Sequence, residues 1–139
     1  MNYRRNRAFT LIELVVVILI LGILAALIIP NVMNRAKEAK VAAAKSDIAT
    51  LSSALQQFHV DCDRYPTTEE GLGALRVSPA NITGWKAPYL DKDVPLDPWS
   101  SAYNYVSPGA NGDDSFTISS NGPDGAPNTA DDIVENHGG

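Results

Sequence analysis

From Phe9 to Ile29 the chain runs FTLIELVVVILILGILAALII, twenty-one residues whose only strongly polar side chains are Thr10 and Glu13. That is long enough to cross a bilayer as one helix, which takes about 20 apolar residues. From Asn31 the pattern changes to helix formers, with an alanine-rich middle and the basic residues Arg35, Lys37, Lys40 and Lys45. Val41, Ala44, Ile48, Leu51, Leu55, Phe58 and Cys62 then recur at spacings of three and four. Those positions form one stripe of a helix, and another part of the chain must cover it. The pattern predicts a single helix from Phe9 to about Asp61, roughly 80 Å long at about 1.5 Å per residue. Pro30 lies inside it, where proline removes a hydrogen bond and crowds the preceding turn. It reads either as punctuation where the helix leaves the membrane or as a joint.

Tyr65-Pro66 stops this helix. Thr67 and Glu70 have capping-box spacing and predict a short helix through Leu72, Leu75 and Val77, ended by Ser78-Pro79. Residues 80–101 read as a proline-rich loop that packs over the core through Trp85, Tyr89, Leu90 and Trp99. Alternation in Tyr103–Val106 and Ser115–Ser119, around turn formers at Pro108–Gly112, predicts a β-hairpin, with a third short strand near Ile133-Val134. A small antiparallel sheet is the natural cover for the helical stripe. The fold class is therefore α+β, a long N-terminal helix packed against a small antiparallel β-sheet.

At 139 residues the chain has room for one domain beyond the apolar run. The formal charge is −5, and three arginines (Arg4, Arg5, Arg7) precede Phe9. From Asp61 onward 13 acidic residues face 4 basic ones, which argues against a nucleic-acid partner. Basic residues before the apolar run, and an acidic lobe after it, place the N-terminus in the cytoplasm and the lobe outside. Cys62 is the only cysteine, so an intramolecular disulfide is impossible and a small domain in an oxidising compartment needs another staple. Because Cys62 closes the apolar stripe, it reads as a small buried residue rather than a nucleophile. His59 lies beside the stripe and reads as solvated; His137 belongs to a polar tail. No nucleotide loop or metalloprotease motif is present, so the chain does not read as an enzyme.

Two places carry chemistry. Glu13 sits four residues into the apolar run, and a carboxylate in hydrocarbon costs roughly 3 kcal/mol, so it requires a partner. Cleavage between Ala8 and Phe9 would create one: an amine a helical turn away, able to pair with Glu13 of a neighbouring copy and select register. The second place is the loop Asn121–Asp132, which brings Asp124, Asp131 and Asp132 together with several carbonyls in a Gly/Pro-bent segment. Calcium takes about six to eight such oxygens; the other reading is an acidic turn whose Asp and Asn cap their own backbone.

Ala8 followed by Phe9-Thr10-Leu11-Ile12-Glu13 resembles the prepilin-peptidase site of type IV pilins and pseudopilins. Arg64–Leu72, Pro88-Tyr89-Leu90, Pro95–Trp99, Tyr103-Asn104-Tyr105 and Gly122–Gly125 closely resemble the major pseudopilin (G subunit) of type II secretion systems. The chain departs from that pattern at Ala8 and Ser100, where glycine is usual, and at Ala102, where proline is common. The resemblance implies a basic leader over residues 1–8, a transmembrane and filament-core helix over 9–30, and a periplasmic domain over 31–139. It implies cleavage before Phe9 and N-methylation there, assembly through Glu13 with Pro30 as a joint, and a structural Ca²⁺ held by Asp124, Asp131 and Asp132 with oxygens near Asn121 and Thr129. The implied function is a structural subunit of the periplasmic pseudopilus, anchored in the inner membrane before assembly. Its implied partners are further copies, minor pseudopilins, prepilin peptidase, the inner-membrane assembly platform with its cytoplasmic ATPase, and the outer-membrane secretin. The competing expectations are a type IV or DNA-uptake pilin, and a membrane-tethered calcium-dependent binding module that stays monomeric.

Overall fold

The computed structural model describes residues 9–86 and 88–138, the side chains of residues 27–32 excepted. The first element, α1, is an α-helix over Leu11–Cys62, 52 residues long, so the change from apolar run to alanine-rich segment happens inside one helix. Both readings of Pro30 concern a side chain outside the described residues, and Ala8 with the rest of the leader is also outside them. The chain divides into two units, Met1–Glu38 and Ala39–Gly139, with α1 contributing to each.

In the first unit nothing covers the helix. Its large apolar side chains from Phe9 to Leu24 are between 44% and 81% exposed. Among the described residues no helix is long and apolar enough to cross a membrane; the described side chains of the apolar run end at Ala26, before the run itself does.

In the second unit the helical stripe is covered as its spacing predicts. Ala44, Ile48, Leu51, Leu55 and Phe58 are buried, whereas Val41 and Cys62, at the two ends, are only half-buried. The cover is a three-stranded antiparallel sheet of order β1-β2-β3, with β1 at Asn104–Val106, β2 at Ser115–Ser120 and β3 at Ile133–Gly138. Tyr105 pairs with Ile118 across β1 and β2, and Phe116 with His137 across β2 and β3. Tyr103, Tyr105, Phe116 and Ile118 join Leu51, Leu55, Phe58, Leu72 and Leu75 in one core. Burying each large apolar side chain contributes about 1.5–3 kcal/mol. Polar ties hold helix and sheet together: Tyr103 donates to Asp47 at 2.9 Å and Ser52 to Glu135 at 3.0 Å. Tyr105 donates to the Pro66 carbonyl at 2.8 Å.

The loop over residues 80–101 packs on this core as its aromatics predict. Phe58 and Tyr89 meet at 5.5 Å, Trp85 and Tyr89 edge to face at 5.9 Å, and the Trp85 indole donates to the Ala74 carbonyl at 3.1 Å. Asp61 accepts from Lys86 at 2.6 Å and from the Tyr89 hydroxyl at 3.1 Å. The Lys86 ammonium holds the Asp61 carboxyl below its ordinary value, while burial pushes the Tyr89 hydroxyl up to about 12.

Three expectations are corrected. The capping box forms, with Glu70 N–H donating to Thr67 Oγ1 at 3.2 Å and Thr67 N–H to Glu70 Oε2 at 2.8 Å. It closes a turn, however, and the only helix after it is a 3₁₀ turn over Leu72–Leu75. Gly71, at φ 60 and ψ −168, leaves the helical region immediately before it. His59 is not merely solvated: its ring packs on Tyr65 at 4.4 Å and its Nε2 lies 2.9 Å from Asp114. Cys62 is half-buried, because the core ends one turn earlier at Phe58, and burial raises its thiol pKa.

Candidate functional site

The first site is the start of α1. Thr10 stands immediately before it, and its hydroxyl accepts the Glu13 N–H at 3.3 Å, so Thr10 is the N-cap and Glu13 the third helical residue. A carboxylate in that first turn also faces the positive end of the helix dipole. The Thr-x-x-Glu spacing of a capping box was present in the sequence, where Thr10 was read only as a polar interruption. Phe9 is 81% exposed, and Glu13 and the apolar side chains after it are exposed too. Among the described residues nothing satisfies either the acid or the grease.

The second site is the acidic loop between β2 and β3. Asn121 leads into a 3₁₀ turn over Gly122–Asp124, ended by Gly125 in the left-handed region at φ 69. Gly122, at φ 65, lies so close to the end of the loop that a Cβ there would come within 2.4 Å of the Asp131 carbonyl oxygen. That contact brings the Asp131-Asp132 end back against the start. The residues then divide into two groups. Asp124 Oδ1 accepts Ala126 N–H at 2.8 Å, and Asn121 is engaged with Asn104 at 2.6 Å and the Gly125 carbonyl at 3.3 Å. These two shape the loop.

Asp131 and Asp132 are gathered by Thr129. Its Oγ1 lies 2.8 Å from Asp131 Oδ1, 3.1 Å from Asp132 Oδ1 and 3.2 Å from the Ala126 carbonyl. A hydroxyl has one proton, so it can satisfy one of those three oxygens at a time. The Thr129 hydroxyl keeps the Asp131 carboxyl below its ordinary value. Four oxygens converging on one proton suit a hard cation that takes oxygen ligands. Among the described residues, no three His, Cys, Asp or Glu side chains come together as a metal cluster. A cation here would rest on two carboxylates, with hydroxyl and carbonyl oxygens completing the set.

Sequence reasoning missed a third organising residue. Asp97 is buried and accepts from Trp99 N–H at 3.0 Å and Ser101 N–H at 2.8 Å with one oxygen, and from the Ser120 hydroxyl at 2.5 Å with the other. Ser120 Oγ in turn accepts Gly122 N–H at 3.2 Å. The Asp97 turn therefore anchors the entrance of the acidic loop. The Asp-Pro-Trp-Ser order was a legible sign of an Asx-type turn.

A helix that is apolar and uncovered at its start, and that ends in a lobe with a small antiparallel sheet, defines a pilin-like subunit. The chain belongs to the type II secretion system (T2SS), protein G family, whose model matches residues 31–136, and a prokaryotic N-terminal methylation motif matches residues 3–29. It is 45% identical over 133 residues to the type II secretion system core protein G of Dickeya chrysanthemi, covering 94% of this chain and 86% of that one. It is 40% identical over 137 residues to the core protein G of Pseudomonas aeruginosa, covering 96% of each. Its fold is similar to the crystal structure of the major pseudopilin from the type 2 secretion system of enterohaemorrhagic Escherichia coli. That match has TM-score 0.63 and 38% identity, over 76% of this chain and 93% of the other.

Proposed function

We propose that this chain is the structural subunit of a pseudopilus that drives protein export across the outer membrane by type II secretion. The observation that carries this is the uncovered apolar start of α1 with Glu13 in its first turn. A surface of that kind needs either lipid or the same surface of other copies. Before assembly the helix sits in the inner membrane with the acidic lobe in the periplasm. Prepilin peptidase cuts between Ala8 and Phe9, Phe9 is N-methylated, and its amine pairs with Glu13 of a neighbouring copy. Pro30 serves as the joint that lets the helix pack along the filament. Minor pseudopilins, the assembly platform with its ATPase, and the secretin act with it. The test is to overexpress the full chain, measure the mass of its mature N-terminus and image the cells. Filaments and a mass starting at methylated Phe9 are expected for wild type, and Glu13→Ala should abolish the filaments. An uncut leader, or filaments unchanged in Glu13→Ala, would overturn the reading.

The loop Asn121–Asp132 holds Ca²⁺ in this reading. The support is the shortage of protons around Thr129, with Asp131 and Asp132 as carboxylate ligands and the Thr129 and Ala126 oxygens beside them. Calcium would supply the positive charge this acidic lobe lacks, in place of a disulfide that a single cysteine cannot form.

A further inference from the structure

The lobe has a cavity of about 410 Å³ beside α1 whose floor is apolar, from Leu51, Tyr89 and Leu90, and whose rim carries Asp47, Asp91 and Asp93. Lys92 also lines it, so carboxylates outnumber ammonium groups three to one at its mouth. Two of the acids are held in place: Asp47 accepts the Tyr103 hydroxyl at 2.9 Å, and Asp93 lies 3.4 Å from Arg76 Nε. The Arg76 guanidinium also donates to the Leu90 carbonyl at 2.8 Å and the Asp91 carbonyl at 3.3 Å, which fixes the loop bearing this rim. An apolar slot ending in carboxylates suits a long side chain that buries an aliphatic stem and keeps a cationic head at the edge.

The same chain carries the complement. Arg35, Lys37 and Lys40 are exposed on α1, and among the described residues none of them makes an ion pair. We infer that the cavity rimmed by Asp47, Asp91 and Asp93 receives the basic segment 35–40 of a second copy. The two surfaces are different patches of one chain, so the contact is heterologous, and a heterologous contact that does not close on itself propagates into an open helical assembly. Opposite charge at the rim also steers encounter and disfavours wrong registers. This deepens the proposed filament function and rests on it, since it names a contact between neighbours along the fibre.

The test uses full chains in cells, with filaments counted by imaging and purified protein checked by thermal melting. Asp91→Lys with Asp93→Lys should cut filament number about tenfold, as like charges now meet at the rim. Lys37→Glu with Lys40→Glu should do the same, and combining all four substitutions should restore filaments. The basic-segment pair keeps the test decisive if the rim variant melts early. Wild-type filaments together with full assembly in either charge-reversed pair, or no restoration in the combined variant, would overturn this contact while leaving the filament function standing. No filaments from wild type would overturn the function itself. Normal filaments with failed export in the rim variant would mean that the cavity serves an exported cationic protein, and would sink the self-docking inference.

Discussion

Ser100 holds φ at 71, in the left-handed region where a Cβ crowds the following carbonyl at a cost of roughly 1–2 kcal/mol. Asp97 forces that conformation: Ser100 N–H donates to the Asp97 carbonyl at 2.9 Å, and Asp97 N–H to the Ser101 carbonyl at 2.8 Å, which closes the turn. Glycine removes the crowding but gives the unfolded chain more freedom, an opposing effect of about 0.5–1 kcal/mol. Ser100→Gly should therefore stabilise the lobe by up to about 1 kcal/mol, or a few degrees of melting temperature. A melt that is unchanged or lower would show that the turn carries no strain. The sequence marked this position only as a departure from a family pattern. What it could not reveal was the sign of φ, which depends on a buried carboxylate fixing the turn from both sides.

Among the elements, α1 and the hairpin were legible because each buries one face and writes that face as a period, from Ala44 to Phe58 in one case and from Tyr103 to Ile118 in the other. Residues 80–101 bury isolated anchors at irregular intervals, so no period announces where Trp85 or Tyr89 will land. The turn at Thr67–Glu70 lies between these extremes: its box was legible, its failure to start an α-helix was not, because Gly71 decides that locally. Its stability has a pH signature. The Arg64 guanidinium grips Glu70 at 2.7 and 2.8 Å and holds its carboxyl below the ordinary 4.5. A depressed carboxyl stabilises the fold above its unfolded pKa, and the contribution disappears as pH falls through the lower folded value. The wild-type melting temperature should thus fall between about pH 5 and pH 3 more steeply than that of Glu70→Gln. Both partners keep contact with water, so the difference will be modest. Parallel curves for the two proteins would show that the ion pair adds nothing.

For the whole molecule the question is what holds a small acidic lobe together when its only cysteine stands alone. A ligand that binds the folded state stabilises it by mass action, about 2.7 kcal/mol at a concentration 100 times its dissociation constant. Because the carboxylates must be gathered before a cation can use them, binding at Thr129, Asp131 and Asp132 is coupled to folding. Adding Ca²⁺ to chelator-treated full chain should raise its melting temperature and its resistance to protease. Asp132→Asn should abolish that response. Asp124→Asn should leave most of it, since the Asp124 carboxylate is committed to Ala126 N–H, and this separates a metal site from a merely acidic turn. If calcium leaves the wild-type melt where it was, the loop is a self-capped turn, and the convergence of oxygens on one hydroxyl proton is settled by solvent instead. If Asp124→Asn proves the more damaging of the two substitutions, the ligand set centres on the 3₁₀ turn, and the pairing of Asp131 with Asp132 through Thr129 is only its support.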